Sequence, residues 1–364
     1  MALDLVAVGI ETDNYGQNDK VNKHIPEGVT SKMLYQDVVR IAWPSFIEMT
    51  LTQLASMVDM MMVGQLGSWA ISAVGLTAQP KFLLMLMFMA MNVGATALVA
   101  RYKGEGSPEK ANKILRQAFL LTFVLSLISS IFGFVFSENM VRFMGASEAI
   151  TLEQGTIYLK IQMLGFVPLA LTSTATATLR GVGNTRIAMA YNLISNVANV
   201  FFNYVLINGH MGFPKMGVAG ASLATVIGQT VAFVLSMTAL LRGKQYIRLD
   251  IQKGFKPDWQ AMKQIFNIGI PSMIEQVFMR AGMILYVKTV ASLGTVAYAT
   301  QQICMNIQAM SFMTGQAFGV SSTSLVGQSL GKRRPDMAQS YTSHTRRVGL
   351  IIAILLVLIF LFLG

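Results

Sequence analysis

Ile41-Ala42-Trp43-Pro44-Ser45-Phe46-Ile47-Glu48 recurs 227 residues later as Ile268-Gly269-Ile270-Pro271-Ser272-Met273-Ile274-Glu275. The same offset, without a gap, carries Leu66-Gly67 onto Leu293-Gly294 and Ala70 onto Ala297. It carries Thr96, Leu98, Val99 and Gly104 onto Thr323, Leu325, Val326 and Gly331, and Pro108 and Ala111 onto Pro335 and Ala338. One such block arises by chance; a constant register over about 70 residues marks an internal duplication.

The duplicated segment is apolar. Of 364 residues, 53 % are hydrophobic and 12 % charged, against roughly 25 % charged in a soluble domain. A mean hydropathy of +0.53 excludes a soluble enzyme, a disordered tail and a fibrous repeat. From Ile41 onward, apolar stretches near the 20 residues or so needed to cross a bilayer follow one another. Nine are expected: 41–64, 75–100, 114–136, 156–179, 187–207, 218–241, 264–289, 296–326 and 341–363. The single cysteine, Cys304, precludes an intrachain disulfide. The histidines His24, His210 and His344 lack the spacing of a zinc site. No Walker A sequence, nucleophile elbow, kinase signature or zincin motif is present, so no enzyme and no cofactor is expected.

The connections alternate in charge. Arg101, Lys103, Lys110, Lys113 and Arg116 follow the second stretch; Arg180 and Arg186 follow the fourth. Arg242, Lys244, Arg248, Lys253, Lys256 and Lys263 follow the sixth, and Lys332, Arg333, Arg334, Arg346 and Arg347 flank the last. The intervening 137–155 segment is acidic, with Glu138, Glu148 and Glu153. The positive-inside rule then places the N-terminus in the cytosol. The net charge of +11 reflects topology and contact with anionic membrane lipids, not nucleic acid.

Six crossings return a chain to its starting side, so the two copies are parallel repeats related by an axis along the membrane normal. The expected fold is an all-α integral membrane protein of two parallel six-helix repeats, or lobes, the second incomplete. The expected divisions are 1–39, a cytosolic N-terminal segment; 40–242, the amino-terminal lobe; 243–263, a basic cytosolic linker; and 264–364, three helices of the second lobe. The expectation is part of a twelve-helix protein.

Ionisable and amide side chains within the spans are the functional candidates, because burying them in a bilayer is costly. Asp59 lies some 15 residues beyond Pro44, roughly 22 Å along a helix, and its repeat counterpart is Tyr286. Its carboxylate either cycles between protonated and charged forms, accepts a sodium ion with neighbouring amides, or stands hydrated at the interface. Asn196, Asn199 and Asn203 fall on one helical face, as interhelical glue or as ligands for substrate and ion; Gln53, Gln301, Gln302, Asn306 and Gln308 pose the same question. Glu48 and its repeat partner Glu275 follow a proline by four residues, in a structural role or lining the cytosolic mouth. Arg280 either pairs with Glu275 or snorkels, and Lys288 snorkels. Thr172, Ser173, Thr174, Thr176 and Thr178 read as packing. Met57, Met60, Met61 and Met62 around Asp59 either fill the core or mould a cavity.

The chain from about residue 39 onward resembles the multidrug and toxic compound extrusion (MATE) family. The resemblance rests on Pro44 followed by Met57-Val-Asp-Met-Met-Met-Val-Gly-Gln-Leu-Gly67, then Leu179-Arg-Gly-Val-Gly-Asn-Thr-Arg186. Asn196-Val-Ala-Asn-Val-Phe-Phe-Asn-Tyr-Val-Leu-Ile207 and Gly217-Val-Ala-Gly-Ala-Ser-Leu-Ala-Thr225 complete it. It implies two lobes around a cleft and export of cationic or amphipathic small molecules in exchange for protons or sodium, by a monomer of the plasma (inner) membrane. The family's first-helix acid falls on Asp59. Its fifth-helix pattern falls on Asn199 and Asn203; the second is usually aspartate in proton-linked members, and asparagine does not titrate. A lipid-linked oligosaccharide flippase with similar lobes, or a non-transporting membrane remnant, is the alternative expectation.

Overall fold

The computed structural model describes residues 29–146, 148–243, 245–250, 254–292 and 295–363. Among them the chain forms eleven α-helices and no strand. These are α1 (Ser31–Gly64), α2 (Ser68–Gly104), α3 (Pro108–Val135), α4 (Ser137–Phe143), α5 (Ala149–Leu164), α6 (Phe166–Gly181), α7 (Thr185–Asn208), α8 (Gly217–Leu241), α9 (Trp259–Ser292), α10 (Thr295–Gly331) and α11 (Pro335–Leu363). The duplication reappears in the helix limits. Both α1 and α9 have 34 residues, both α2 and α10 have 37, and α3 and α11 each open on the matched prolines.

Among the described residues, four helices are long and apolar enough to cross a membrane, namely α1, α2, α3 and α8, and α5 with α6 makes a fifth candidate as one bent span. Phe123, Val124, Leu127, Ile128 and Ile131 of α3 are exposed on the outside of the bundle, a patch that fits lipid contact rather than water. Residues bearing the basic connections gather at one end, called here the basic end.

Two boundaries depart from the expectations. The expected 156–179 helix is two, α5 and α6, meeting at 52°. Pro168 has no N–H to bond the Leu164 carbonyl, and at Gly165 a side chain would strike Val226, with a Cβ 2.7 Å from Cγ2. The second difference is at the start. α1 begins at Ser31, where Thr30 accepts the Met33 amide at 3.3 Å, so 31–39, expected within a separate N-terminal segment, is helix continuous with the first span. Leu34 and Val38 are fully buried in a cluster with Leu325 and Tyr341. Tyr341 donates to Asp37 at 2.8 Å and Ser321 to the Val38 carbonyl at 3.0 Å.

The main core packs α2, α3, α6 and α7 with the segment before α9. That segment, expected as a linker, lies against the bundle. Ile247 and Leu249 are buried in the core, and buried Gln117 of α3 donates to the Lys256 carbonyl at 2.8 Å while accepting the Asp258 amide at 3.1 Å. Asp258 caps α9, accepting from the Ala261 amide at 2.8 Å, and lies 2.6 Å from Lys113 Nζ.

The Lys113 hydrogen bond, and then the Ala261 amide, hold the Asp258 carboxyl below its ordinary range. A depressed folded value means the contact's contribution is full above the unfolded value, about 3.9, and is lost as pH falls through the folded one. Amides at the start of α9 should therefore keep their intrinsic-rate-corrected hydrogen exchange from pH 8 to pH 5 and lose protection only below about pH 4. Loss already at pH 6 would assign the cap to another group.

Candidate functional site

α1 and α7 run side by side in the same direction, and their polar contacts keep a constant register. Asn192 Nδ2 donates to Glu48 Oε1 at 2.5 Å, Asn196 to Thr52 Oγ1 at 2.9 Å, and Asn203 to Asp59 Oδ1. Asparagines at i, i+4, i+7 and i+11 share one face of an α-helix, so the α7 sequence turns an amide row toward α1. Asn199 completes it. With its amide nitrogen facing Asp59, it donates to Oδ1 at 3.0 Å and Oδ2 at 2.9 Å while its oxygen accepts the Thr225 amide at 3.2 Å. That orientation satisfies both ends of the side chain; the reverse leaves Asn199 oxygen against a carboxylate.

The Asp59 carboxylate is thus held by neutral donors. Among the described residues no cation pairs with it. Asn199 and Asn203 are buried, and Asn203 Oδ1 is buried without a partner. The carboxylate opens on a cavity of about 640 Å³ inside the first-repeat bundle, walled by α1, α2, α6, α7 and α8. Thr52, Ser56 and Asp59 line it from α1, Met85, Met89 and Asn92 from α2, and Thr225 and Gln229 from α8. A carboxylate presented this way balances a cation that enters the cavity, whether a proton, a sodium ion or an organic ammonium. Among the described residues no three His, Cys, Asp or Glu side chains gather as a metal cluster.

The basic end of the cavity is closed by a buried ion pair. Arg180 Nη2 lies 2.8 Å from Glu48 Oε1, with side-chain exposures of 17 % and 7 %. Glu48 Oε2 and Arg180 Nε are buried without partners, so the pair is held but not saturated. Removing one member leaves an uncompensated buried charge, a cost of about 3–5 kcal/mol, whereas removing both is milder. Arg180→Met is expected to lower the melting temperature in detergent more than the double variant Glu48→Gln/Arg180→Met. Equal losses would show that the charges are already solvated.

The structure brings Asp59, Asn196, Asn199 and Glu48 to this one cavity, with Asn203 behind its wall, bonded to Asp59. Gln53 is not among its lining residues, since it lies a third of a turn from Thr52. Glu275 does not mirror Glu48: it is exposed. Arg280 does not pair with it; Arg280 donates to Gln79 Oε1 at 2.5 Å and stacks 4.5 Å from the Phe82 ring centre. The threonine cluster divides. Thr174 donates to Asn92 Oδ1 at 2.7 Å and Thr178 to the Thr174 carbonyl at 2.8 Å, which is packing, while Thr172, Ser173 and Thr176 face the cavity. The cavity methionines are Met85 and Met89; Met57, Met60 and Met61 are exposed elsewhere. Tyr286, the repeat counterpart of Asp59, donates to Gln301 at 3.1 Å. The side chains of Lys288, Gln302, Cys304 and Asn306 lie outside the described residues.

Sequence reasoning passed over Lys81, Arg180 and Asn192 as site residues. Asn192 was legible as the next turn of the asparagine face, and Lys81 as a lone cation inside an apolar stretch. Arg180 carried no such signal, because it sits at the end of α6 among residues that read as a basic loop.

The family model described as MatE matches residues 44–205 and 271–364, which takes in both helices of the amide row up to Val205 and the repeated block. The chain belongs to the MatE family. A probable multidrug resistance protein NorM of Thermotoga maritima is 27 % identical over 295 residues, covering 80 % of this chain and 62 % of that relative. An uncharacterized transporter YisQ of Bacillus subtilis is 26 % identical over 298 residues, covering 82 % of this chain and 65 % of its own length. The chain thus spans under two thirds of the length of these relatives. The multidrug resistance protein MdtK of Yersinia pestis is 24 % identical over 319 residues, covering 87 % of this chain and 70 % of that protein. In fold, the chain matches a solved MATE transporter of the MOP superfamily in an outward-facing conformation with a TM-score of 0.83 at 22 % identity, over 90 % of this chain and 72 % of the other. A MOP superfamily transporter of Pyrococcus furiosus matches with a TM-score of 0.82 at 21 % identity, over 91 % of this chain and 72 % of the other. YisQ and the two solved proteins are named as transporters, and the fold of this chain is that of the solved MATE transporter.

Proposed function

We propose that this MatE-family protein is an ion-coupled antiporter that exports cationic and amphipathic small molecules by alternating access. The observation that carries this reading is the Asp59 carboxylate, held by two neutral amides and open to a cavity of drug size. With no cation of its own, Asp59 takes either the organic cation or the coupling ion, and the two displace each other. That exclusivity is what antiport requires. The unpartnered Asn203 Oδ1 offers an oxygen beside the carboxylate, which suits a sodium ion as well as a proton.

In this reading nine helices cross the inner membrane in two parallel repeats, with the basic end and the N-terminus in the cytosol. The repeats divide between α8 and α9, and rocking of one against the other opens the cavity to each side in turn. The protein works as a monomer among anionic lipids.

The test is reconstitution into liposomes loaded with ethidium, under an imposed proton gradient or an imposed sodium gradient. Ethidium movement driven by one gradient and abolished by collapsing it is the expected result and names the coupling ion. No movement under either gradient would overturn antiport.

A further inference from the structure

We infer that Lys81 recognises an anionic group on the transported molecule, so that the cavity selects amphoteric substrates carrying a carboxylate together with a cationic group. The inference rests on the export reading above and names its substrate class.

Lys81 lines the same cavity as Asp59, from α2. Its Nζ donates to Gln162 Oε1 at 2.5 Å. The Gln162 amide donates in turn to the Ser222 carbonyl at 3.3 Å and to Ser222 Oγ at 3.2 Å, and Ser222 Oγ donates to the Tyr158 carbonyl at 2.8 Å. Gln162 is buried and both of its ends are engaged, so its oxygen is fixed and the ammonium is positioned by a chain of bonds through α2, α5 and α8.

An ammonium has three donors and this chain of bonds uses one. Among the described residues no carboxylate lies within ion-pair distance of Lys81, whereas the other cation lining the cavity, Arg180, is paired with Glu48. An uncompensated cation within the spans of a membrane protein is costly and marks a functional site.

The charges of the cavity add up in a particular way. Glu48 and Arg180 neutralise each other at the basic end. What remains is one anion, Asp59, and one cation, Lys81. Asp59 and Lys81 face that cavity from different walls: Asp59 lies beside Asn199 and Thr225, and Lys81 bonds Gln162, which bonds Ser222 one turn of α8 from Thr225. A molecule with a single positive charge satisfies Asp59 and meets repulsion from Lys81. A molecule with an ammonium and a carboxylate satisfies both, and the repulsive contact becomes the discriminating one.

Rhodamine B, which carries a carboxylate, and its ethyl ester, which does not, share one cationic ring system and make a matched pair. Transport of each is compared in the full-length protein and in the variants Lys81→Met and Lys81→Arg. The unmodified protein is expected to move both dyes. Lys81→Met should lose rhodamine B transport by at least about tenfold while the ester stays within twofold or gains, and Lys81→Arg should recover rhodamine B transport. In the unmodified protein, benzoate should inhibit rhodamine B transport and spare the ester, a result that needs no variant to fold. Equal losses for both dyes in Lys81→Met, or no loss, or benzoate acting alike on both, would overturn the role of Lys81. Movement of neither dye by the unmodified protein would instead remove the export reading itself.

Discussion

Asp59→Asn is expected to reduce gradient-driven efflux of a cationic dye by about one to two orders of magnitude, toward that of empty vesicles, with expression and melting temperature near those of the unmodified protein. The substitution keeps the shape of the side chain and removes its charge. The new amide keeps one oxygen to accept from Asn203, and its N–H₂ takes the place of the second carboxylate oxygen facing Asn199. Left alone, that facing pair of donors would cost about 1–3 kcal/mol. Asn199 relieves it by turning its amide so that its oxygen accepts. The fold therefore tolerates the change while the site does not. A hydrogen-bonded charge contact contributes about 1.5–3 kcal/mol, and 1.4 kcal/mol is tenfold, so losing the one anion that, among the described residues, opens on the cavity without a countercharge removes about one to two orders of magnitude from binding of an organic cation. Asp59→Glu should fall between, because the carboxylate is displaced by one methylene from amides that α7 and α8 hold in place. Efflux measured in everted vesicles beside a thermal unfolding curve separates loss of the site from loss of the fold. Unchanged efflux in Asp59→Asn would take Asp59 out of the mechanism.

The overall architecture was legible because it is written in periodicities that survive duplication. The offset of 227 read from Pro44/Pro271 and Gly104/Gly331 is the offset between both limits of α2 and α10 and between the starts of α3 and α11, while the limits of α1 and α9 differ by one residue more. Asp59 and the asparagine face were legible for a related reason: polar groups in an apolar run have few other places to go. What escaped were features set by tertiary contact. The break at Gly165 depends on Val226 of α8 standing where a Cβ would go. The difference between Glu48 and Glu275 is the presence of Arg180, 132 positions away from Glu48 in sequence, and nothing local distinguishes the two acids. The helical start at Ser31 was hidden because Leu34 and Val38 are buried by α10 and α11, partners that a polar local composition does not announce.

Gly331→Leu is expected to hold the basic end of the protein open. At that end α2 and α10 cross backbone to backbone, and the crossing is symmetric under the repeat. A Cβ on Gly104 would stand 2.0 Å from the Gln328 carbonyl oxygen, and a Cβ on Gly331 would stand 1.9 Å from the Arg101 carbonyl oxygen. Gly331 is the repeat counterpart of Gly104, and Gln328 that of Arg101. One step along, a Cβ on Gly327 would meet Ala100 at 2.7 Å, so Gly327-xxx-Gly331 packs against Ala100-xxx-Gly104, the small-residue spacing that lets membrane helices approach closely. Backbone carbonyls do not move aside as side chains do. A leucine here forces the axes apart, and overpacking costs about 1–3 kcal/mol or more, which lowers the closed population by roughly 5- to 150-fold. Nitroxide labels introduced by Glu109→Cys and Asp336→Cys, exposed and repeat-related positions beside the crossing, would read the distance between the two helix ends, with Cys304→Ser removing the native thiol. The expected result is a longer distance in Gly331→Leu, a smaller increase in Gly331→Ala, and efflux that falls in step. Gly319→Ala on the same helix supplies the control, because a Cβ there meets nothing within 4 Å and alanine favours the helix by about 0.5–1 kcal/mol. If Gly331→Leu lengthened nothing while Gly319→Ala behaved as the unmodified protein, the crossing would be packing without a part in the cycle. If the distance grew and efflux persisted, closure of the basic end would not be required for export, and alternating access would lose its gate.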